Sequence, residues 1–152
     1  MNDLAVETKL SIPVKVHLKT IIDHGDEAET YELTLFGEYY QKEHSAFFKY
    51  EELLQEGSIQ TVVKVKDREA LILRSGAIKM RLAFSLEDEK AGSYEGEHGT
   101  LLLTTKTKSL ENIMIGSERL QGKFILKYDL KMQGSIVGTY EMVLEYKEVV
   151  SE

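Results

Sequence analysis

The sequence contains no cysteine, no tryptophan and a single proline among its 152 residues. Without cysteine the chain has no disulfides and no zinc site built on thiolates, so its stability must come from a packed core. A chain of this length buries roughly 70% of its unfolded surface on folding, which is enough for such a core. No apolar run approaches the ~20 residues of a membrane-spanning helix. We therefore expect one soluble domain over residues 1–152, with residues 1–11 as a loosely attached tail.

Positive charge is also scarce, with 19 Lys and Arg against 26 Asp and Glu and a formal net charge of −7. Nucleic-acid binding needs a dense cationic face, so neither DNA nor RNA is an expected partner. The N-terminal residues include Asp3 and Glu7 and lack the basic-then-apolar order of a signal peptide. These features predict a cytoplasmic protein with no membrane partner.

Apolar residues recur at every second position in most of the chain, which is typical of strands with one buried and one wet face. In the clearest segment, Phe124 to Met132, the apolar residues Phe124, Leu126, Tyr128, Leu130 and Met132 alternate with mostly charged ones. Four residues that should face outward are apolar instead, namely Val62, Ile125, Val137 and Val143. An outer apolar patch made by these residues would be typical of a partner surface.

Short glycine-containing turns separate these segments, for example at His24–Asp26, Ser75–Gly76 and Gln133–Gly134. The sequence thus predicts an all-β protein with little helix and about eight to ten antiparallel strands, which can hide their edges in a sandwich or a barrel. Hairpin-joined neighbours favour the up-and-down barrel. Two segments, Tyr50–Gln55 and Ser109–Leu120, are prone to form helix but equally compatible with strand or loop.

One hairpin carries a family resemblance. The residues from Arg74 to Met80, read as RSGAIKM, resemble a hairpin of the YwiB-like family of bacterial proteins, and further similarities extend over roughly residues 12–148, including Tyr128 to Met132. This resemblance implies a calycin-like (lipocalin-like) β-barrel. It implies no activity, ligand or catalytic residue.

Catalytic motifs are missing from the sequence. It has no nucleophile elbow around a serine and no glycine-rich phosphate loop, and its four His residues lack the local spacing of a metal site. We therefore predict no catalytic residue, metal or cofactor. An enzyme would have to combine Glu51 or Glu52 with a His or Tyr in a pocket, and this is the third hypothesis in rank.

A cationic and aromatic set is the candidate ligand site. Arg74 precedes a tight turn, and Lys79 and Arg81 follow it, so the three could line a barrel mouth and bind an anionic or carboxylate group. Arg74 could instead pair with Glu51, Glu52 or Glu69. The rings of Tyr50, Tyr94 and Tyr128 would supply apolar walls with polar hydroxyl groups.

Two functions follow from these residues. The leading hypothesis is a non-catalytic module that binds a small, partly apolar or anionic ligand inside the barrel through Arg74, Tyr50, Tyr94, Tyr128, Lys79 and Arg81. The alternative is a structural or protein-interaction module with a filled barrel, which could form a homodimer.

Overall fold

The computed structural model describes residues 10–116 and 118–150, which form ten strands. The strands are β1 (Ile12–Asp23), β2 (Ala28–Lys42), β3 (Ser45–Leu54), β4 (Gly57–Val65), β5 (Glu69–Gly76), β6 (Lys79–Ser85), β7 (Lys90–Gly96), β8 (Gly99–Met114), β9 (Gln121–Met132) and β10 (Ser135–Glu148). The described residues contain no helix, and the two helix-prone segments contribute to β3 and β8. The predicted tail, residues 1–11, lies outside the described residues up to Lys9.

Each strand pairs antiparallel with the next one in the chain, and β1 pairs with β10 to close the sheet into a barrel. The all-β, up-and-down antiparallel barrel predicted from the alternation is therefore confirmed. Closure removes the two outermost edges that an open sheet of ten strands would expose.

In the part of the chain that the structure describes, no helix is long and apolar enough to cross a membrane.

The two ends of the barrel differ. We call the end at which β1 begins and β10 ends the terminal end, and the end that carries the β1–β2, β3–β4, β5–β6, β7–β8 and β9–β10 turns the mouth. The core fills the terminal end, where Phe48, Phe124 and Tyr146 are among the largest fully buried side chains. The Tyr146 ring lies 4.7 Å from that of Phe48, and its hydroxyl donates to Asn112 at 2.8 Å. The barrel is thus filled at one end.

The pairing between β2 and β3 stops before either strand ends. Its last pair towards the mouth joins Gly37 to Tyr50, although β2 extends from there through Phe36 back to Ala28. At Gly37 the two strands approach so closely that a Cβ atom would lie 2.4 Å from the carbonyl oxygen of Lys49. Beyond this contact the strands diverge and leave a gap in the barrel wall.

Two local details differ from the sequence-based expectation. The β5–β6 turn lies at Ala77–Ile78, because Gly76 still pairs with Ile59 at a φ of +117° and a Cβ there would lie 2.3 Å from the Ser58 carbonyl oxygen. A β-bulge between Ile136 and Gly138 turns Val137 towards the interior, so the expectation that Val137 lies on the outer face is wrong. One extra residue is sufficient to exchange the two faces of a strand.

Candidate functional site

A cavity of about 540 Å³ occupies the mouth half of the barrel. Most of its lining is apolar or aromatic, and its polar residues are few and come from β1, β3, β4 and β5. The lining includes Leu18, Leu33, Ile72, Met80, Leu82, Leu103, Leu130, Met132, Val137 and Met142 as apolar residues, and Thr20, Glu52, Thr61 and Arg74 as polar ones. A volume in the range of about 300–1,000 Å³ with few polar groups is typical of small-molecule sites.

The polar centre of this cavity is an ion pair. Arg74 on β5 donates from Nη2 to Oε1 of Glu52 on β3 at 2.8 Å, and the Thr61 hydroxyl lies 3.2 Å from the same oxygen. Arg74 and Glu52 retain only 24% and 12% of their side-chain exposure. Of the acids that the sequence offered as partners, the structure selects Glu52. Arg74 therefore faces inward and is neutralised there.

Two buried tyrosines lie beside this pair. Burial raises the pKa of Tyr50 well above its ordinary value; the Glu52 carboxylate raises it further, and the Arg74 charge opposes both. Burial also raises the pKa of Tyr128, with a smaller contribution from Tyr140, and Arg74 again opposes the shift. The charge of one guanidinium thus opposes the shift of both phenols, and all three residues line the same cavity.

A hydrogen-bonded chain lies at the mouth. The Nε2–H group of His24 donates to Glu29 at 2.7 Å and Nδ1 lies 3.2 Å from the Val137 carbonyl oxygen, while the Tyr31 hydroxyl donates to the other Glu29 oxygen at 3.0 Å. The hydrogen bond to Glu29 raises the pKa of His24, and the same bond lowers the pKa of Glu29. Tyr31 and Val137 both line the cavity, so this chain borders its entrance.

The structure brings together only part of the predicted set. Arg74, Tyr50, Tyr94 and Tyr128 all line the cavity. Lys79 and Arg81 do not join them, because they alternate with the inward Met80 and Leu82 and are exposed on the outer face of β6. The expectation that two or three cations line the mouth is therefore wrong, since of these three residues only Arg74 lines the cavity.

The groups considered for catalysis are separated. Glu51 lies on the outer face, where it accepts from Ser58 and Gln60 at 2.8 and 2.7 Å. The histidines lie on β1 and in three different turns, at His17, His24, His44 and His98. Within residues 10–116 and 118–150 no three His, Asp or Glu side chains gather as a metal site would require. None of the four His residues lines the cavity.

Several cavity residues were not singled out as ligand-binding from the sequence, notably Tyr31 and Tyr140. Tyr31 and Tyr140 were on the predicted inner faces of their strands, but alternation alone does not separate a cavity wall from a filled core. Tyr140 stacks on Tyr128 with ring centroids 5.2 Å apart, which extends the aromatic wall towards the entrance.

Comparison with known proteins gives the family. The chain is 29% identical over 139 residues to the uncharacterised β-barrel protein YwiB of Bacillus subtilis (strain 168), covering 91% of this chain and 96% of that protein. The crystal structure of the ywiB protein from Bacillus subtilis matches with a TM-score of 0.82 and 28% identity over 97% of this chain and 99% of that one. A family model described as a domain of unknown function, DUF1934, matches residues 16–144. This chain belongs to the DUF1934 family of β-barrel proteins.

Proposed function

We propose that this protein binds a small, mostly apolar, uncharged molecule in the cavity at the mouth of the barrel. The observation that carries the proposal is an apolar cavity of about 540 Å³ with one neutralised ion pair, Arg74 and Glu52, in its wall. A guanidinium has five N–H donors. Within the described residues Arg74 donates only to Glu52, which leaves donors for a carbonyl or amide oxygen of the ligand.

The ion pair favours an uncharged ligand over an anion. Because Glu52 already balances Arg74, a carboxylate placed beside them would bring an uncompensated charge into a poorly solvated cavity, and that is costly. Acidic residues on the β1–β2 turn, Asp26 and Glu27, add to the repulsion at the mouth. The sequence-based hypothesis allowed a partly apolar or an anionic ligand, and the proposal keeps only the uncharged, mostly apolar ligand.

The tyrosines favour a ligand with its polar group inward. Tyr50 and Tyr128 are buried residues that line the cavity, and the hydrogen bonds of the described residues include none to either hydroxyl. A polar group of the ligand beside them would give these hydroxyls a hydrogen-bond partner, together with Arg74. A cytoplasmic location stays part of the proposal, since stability without disulfides suits a reducing compartment.

Displacement of the neutral dye Nile red tests this function. Decanamide, which is uncharged, is expected to displace the dye at lower concentration than decanoate, which has the same chain length and a negative charge. Replacing Glu52 with Gln should reverse this order, because Arg74 is then an unpaired cation and attracts the carboxylate. Replacing Arg74 with Met should weaken the amide by about tenfold, the value of one hydrogen bond to a charged group.

The matched control is Lys79→Met, which removes a cation from the outer face of β6 and should leave both affinities unchanged. Circular dichroism spectra of all variants should be superimposable on that of the parent. Failure of the protein to bind Nile red or decanamide would overturn the proposal. An order of affinities that Glu52→Gln does not alter would also overturn it, since the ligand would then not reach the ion pair.

A further inference from the structure

Two unpaired strand edges face each other across the gap between β2 and β3. Residues Ala28–Phe36 of β2 pair with β1 alone, and Glu51–Leu54 of β3 pair with β4 alone, among the residues that the structure describes. Alternate peptide groups of a strand point to opposite sides, so part of the N–H and C=O groups of each edge point into this opening. We call the opening the β2–β3 gap.

The side chains around the gap are apolar at alternate positions. Tyr31, Leu33 and Leu35 of β2 face the interior and are only partly covered. Phe36 is 68% exposed and Leu53, on the opposite edge, is 79% exposed. Exposed strand edges are normally protected by proline, lysine or a covering element. Neither Ala28–Phe36 nor Glu51–Leu54 contains proline or lysine. The edges of β2 and β3 at the gap are therefore both open to pairing with another strand.

The two edges of the gap carry acidic side chains and no basic ones. Ala28–Phe36 contains Glu29 and Glu32, and residues 51–57 contain Glu51, Glu52 and Glu56, whereas neither segment contains Lys or Arg. Glu52 is paired with Arg74, Glu29 contacts His24 and accepts from Tyr31, and Glu32 contacts His17 at 3.6 Å. Lys19 of β1 is the cross-strand neighbour of Glu32, on the side of β2 away from the gap. A segment that pairs with β2 therefore has Glu32 and Glu51 as its nearest charged neighbours, which favours basic side chains.

We infer that the β2–β3 gap binds an extended, basic peptide segment of a partner protein, which pairs with the free edge of β2 as an additional strand. Main-chain hydrogen bonds to β2 supply the affinity, and alternate side chains supply the specificity. Apolar residues of the peptide lie on the side of Leu33 and Leu35, and its basic residues lie outside, near Glu32 and Glu51. This partner site borders the cavity, since Leu33 and Glu52 belong to both, but pairing of a peptide with β2 does not require the small-molecule function proposed above.

A second copy of the chain fits the gap less well than a basic peptide. An antiparallel pairing of two β2 edges would bring Glu29 and Glu32 of both copies into one short segment. Like charges across a strand pair are destabilising. The same acidic residues that attract a basic peptide therefore oppose self-association.

Residue-resolved hydrogen exchange of the full chain provides the test. The probe is a peptide of alternating valine and lysine, compared with a peptide of alternating valine and glutamate and with a valine–lysine peptide whose central valine is replaced by proline. The lysine peptide should slow exchange of alternate amides within Ala28–Phe36 by at least about tenfold, because those amides gain a strand partner. The glutamate and proline peptides should produce little protection.

A charge reversal on the protein locates the site. Glu32→Lys, on the outer face of β2, should weaken binding of the lysine peptide by about fivefold. Glu111→Lys reverses an exposed charge on β8, away from the gap, and should leave this affinity unchanged. Tyr128→Phe, which changes a cavity residue on β9 away from the gap, should lower binding of decanamide without altering that of the peptide, so failure of one proposal is distinguishable from failure of the other.

Three outcomes would overturn the inference. Equal binding of the lysine and glutamate peptides would show that the acidic residues do not select the partner. Protection confined to residues outside Ala28–Phe36 would place the peptide elsewhere. Protection of β2 that increases with protein concentration in the absence of peptide would identify a second copy as the occupant.

Discussion

Arg74 and Glu52, which are 22 positions apart in the chain, form an ion pair inside the barrel with a distance of 2.8 Å between Nη2 and Oε1. The two residues lie on β5 and β3, on either side of β4, and Thr61 of β4 contacts the same carboxylate. The pair therefore connects three neighbouring strands at the wall of the cavity. Both charged groups are only partly exposed to water, so each is stabilised by the opposite charge of the other.

Loss of one partner should be more costly than loss of both. Arg74→Met leaves the Glu52 carboxylate without its cation, and we expect the free energy of unfolding to fall by about 2 kcal/mol, less than for a fully buried pair because both groups retain some solvent contact. In a Glu52→Gln background the same substitution should cost no more than about half of that. Urea denaturation of the four proteins measures the coupling.

Lys79→Met is the control for removing a cation from the mouth region, and its effect should stay within about 0.5 kcal/mol. Additive effects of Arg74→Met and Glu52→Gln would contradict the coupling, and the pair would then be a contact without energetic consequence.

The buried tyrosines should make the folded protein less stable at alkaline pH. Because burial raises the pKa of Tyr50 and Tyr128 above the ordinary value of 10.0, the folded state keeps these protons at a pH where the unfolded state loses them. Stability should therefore be unaffected by these groups below pH 10 and fall as the pH rises above it. Absorbance at 295 nm should reveal a late ionisation step in the folded protein that is missing in urea.

Tyr50→Phe and Tyr128→Phe identify the groups responsible. Each substitution should reduce the amplitude of the late step and leave the early step intact. The assignment is wrong if either substitution removes absorbance from the early step, since the corresponding phenol would then be in contact with water.

The alternation of apolar residues was sufficient to predict the barrel, because a sheet with one wet face imposes a period of two on its sequence. Phe124–Met132 shows this directly, since its five alternating apolar residues, at every second position from Phe124, face inward in the structure and four of them are buried. Val137 is an exception to this alternation. A single extra residue at the bulge between Ile136 and Gly138 exchanges the two faces, and the signal in the sequence is Gly138, since a glycine inside a strand often marks a bulge.

The candidate site could be predicted only in part. Arg74 follows three apolar residues, Leu71, Ile72 and Leu73, so the alternation did not fix its direction, and its partner could be any nearby acid. The β2–β3 gap was not predicted, because the alternation of β2 does not show where its pairing ends and Tyr50–Gln55 was equally compatible with helix, strand or loop. It depends on where the two strands diverge, at Gly37, and that contact with Lys49 exists only in the folded barrel.

The hydrogen bond between His24 and Glu29 should make stability depend on pH near neutrality. Its effect raises the pKa of His24 above 6.5, so the stabilisation is fully present below pH 6.5 and is lost as the pH rises through the folded value. It lowers the pKa of Glu29 below 4.5, so the contribution of that carboxylate is present above pH 4.5 and is lost as the pH falls through its folded value. The stabilisation from this hydrogen bond should therefore be greatest between pH 4.5 and pH 6.5.

Two measurements check this dependence. In NMR titrations Glu29→Gln should lower the midpoint of His24, because the charged acceptor is gone. In thermal unfolding scans, His24→Gln should flatten the decline in Tm from pH 6 to pH 8 that the parent protein shows. An unchanged His24 midpoint in Glu29→Gln would contradict the prediction, since the imidazole would then owe its pKa to the Val137 carbonyl oxygen, which Glu29→Gln leaves in place.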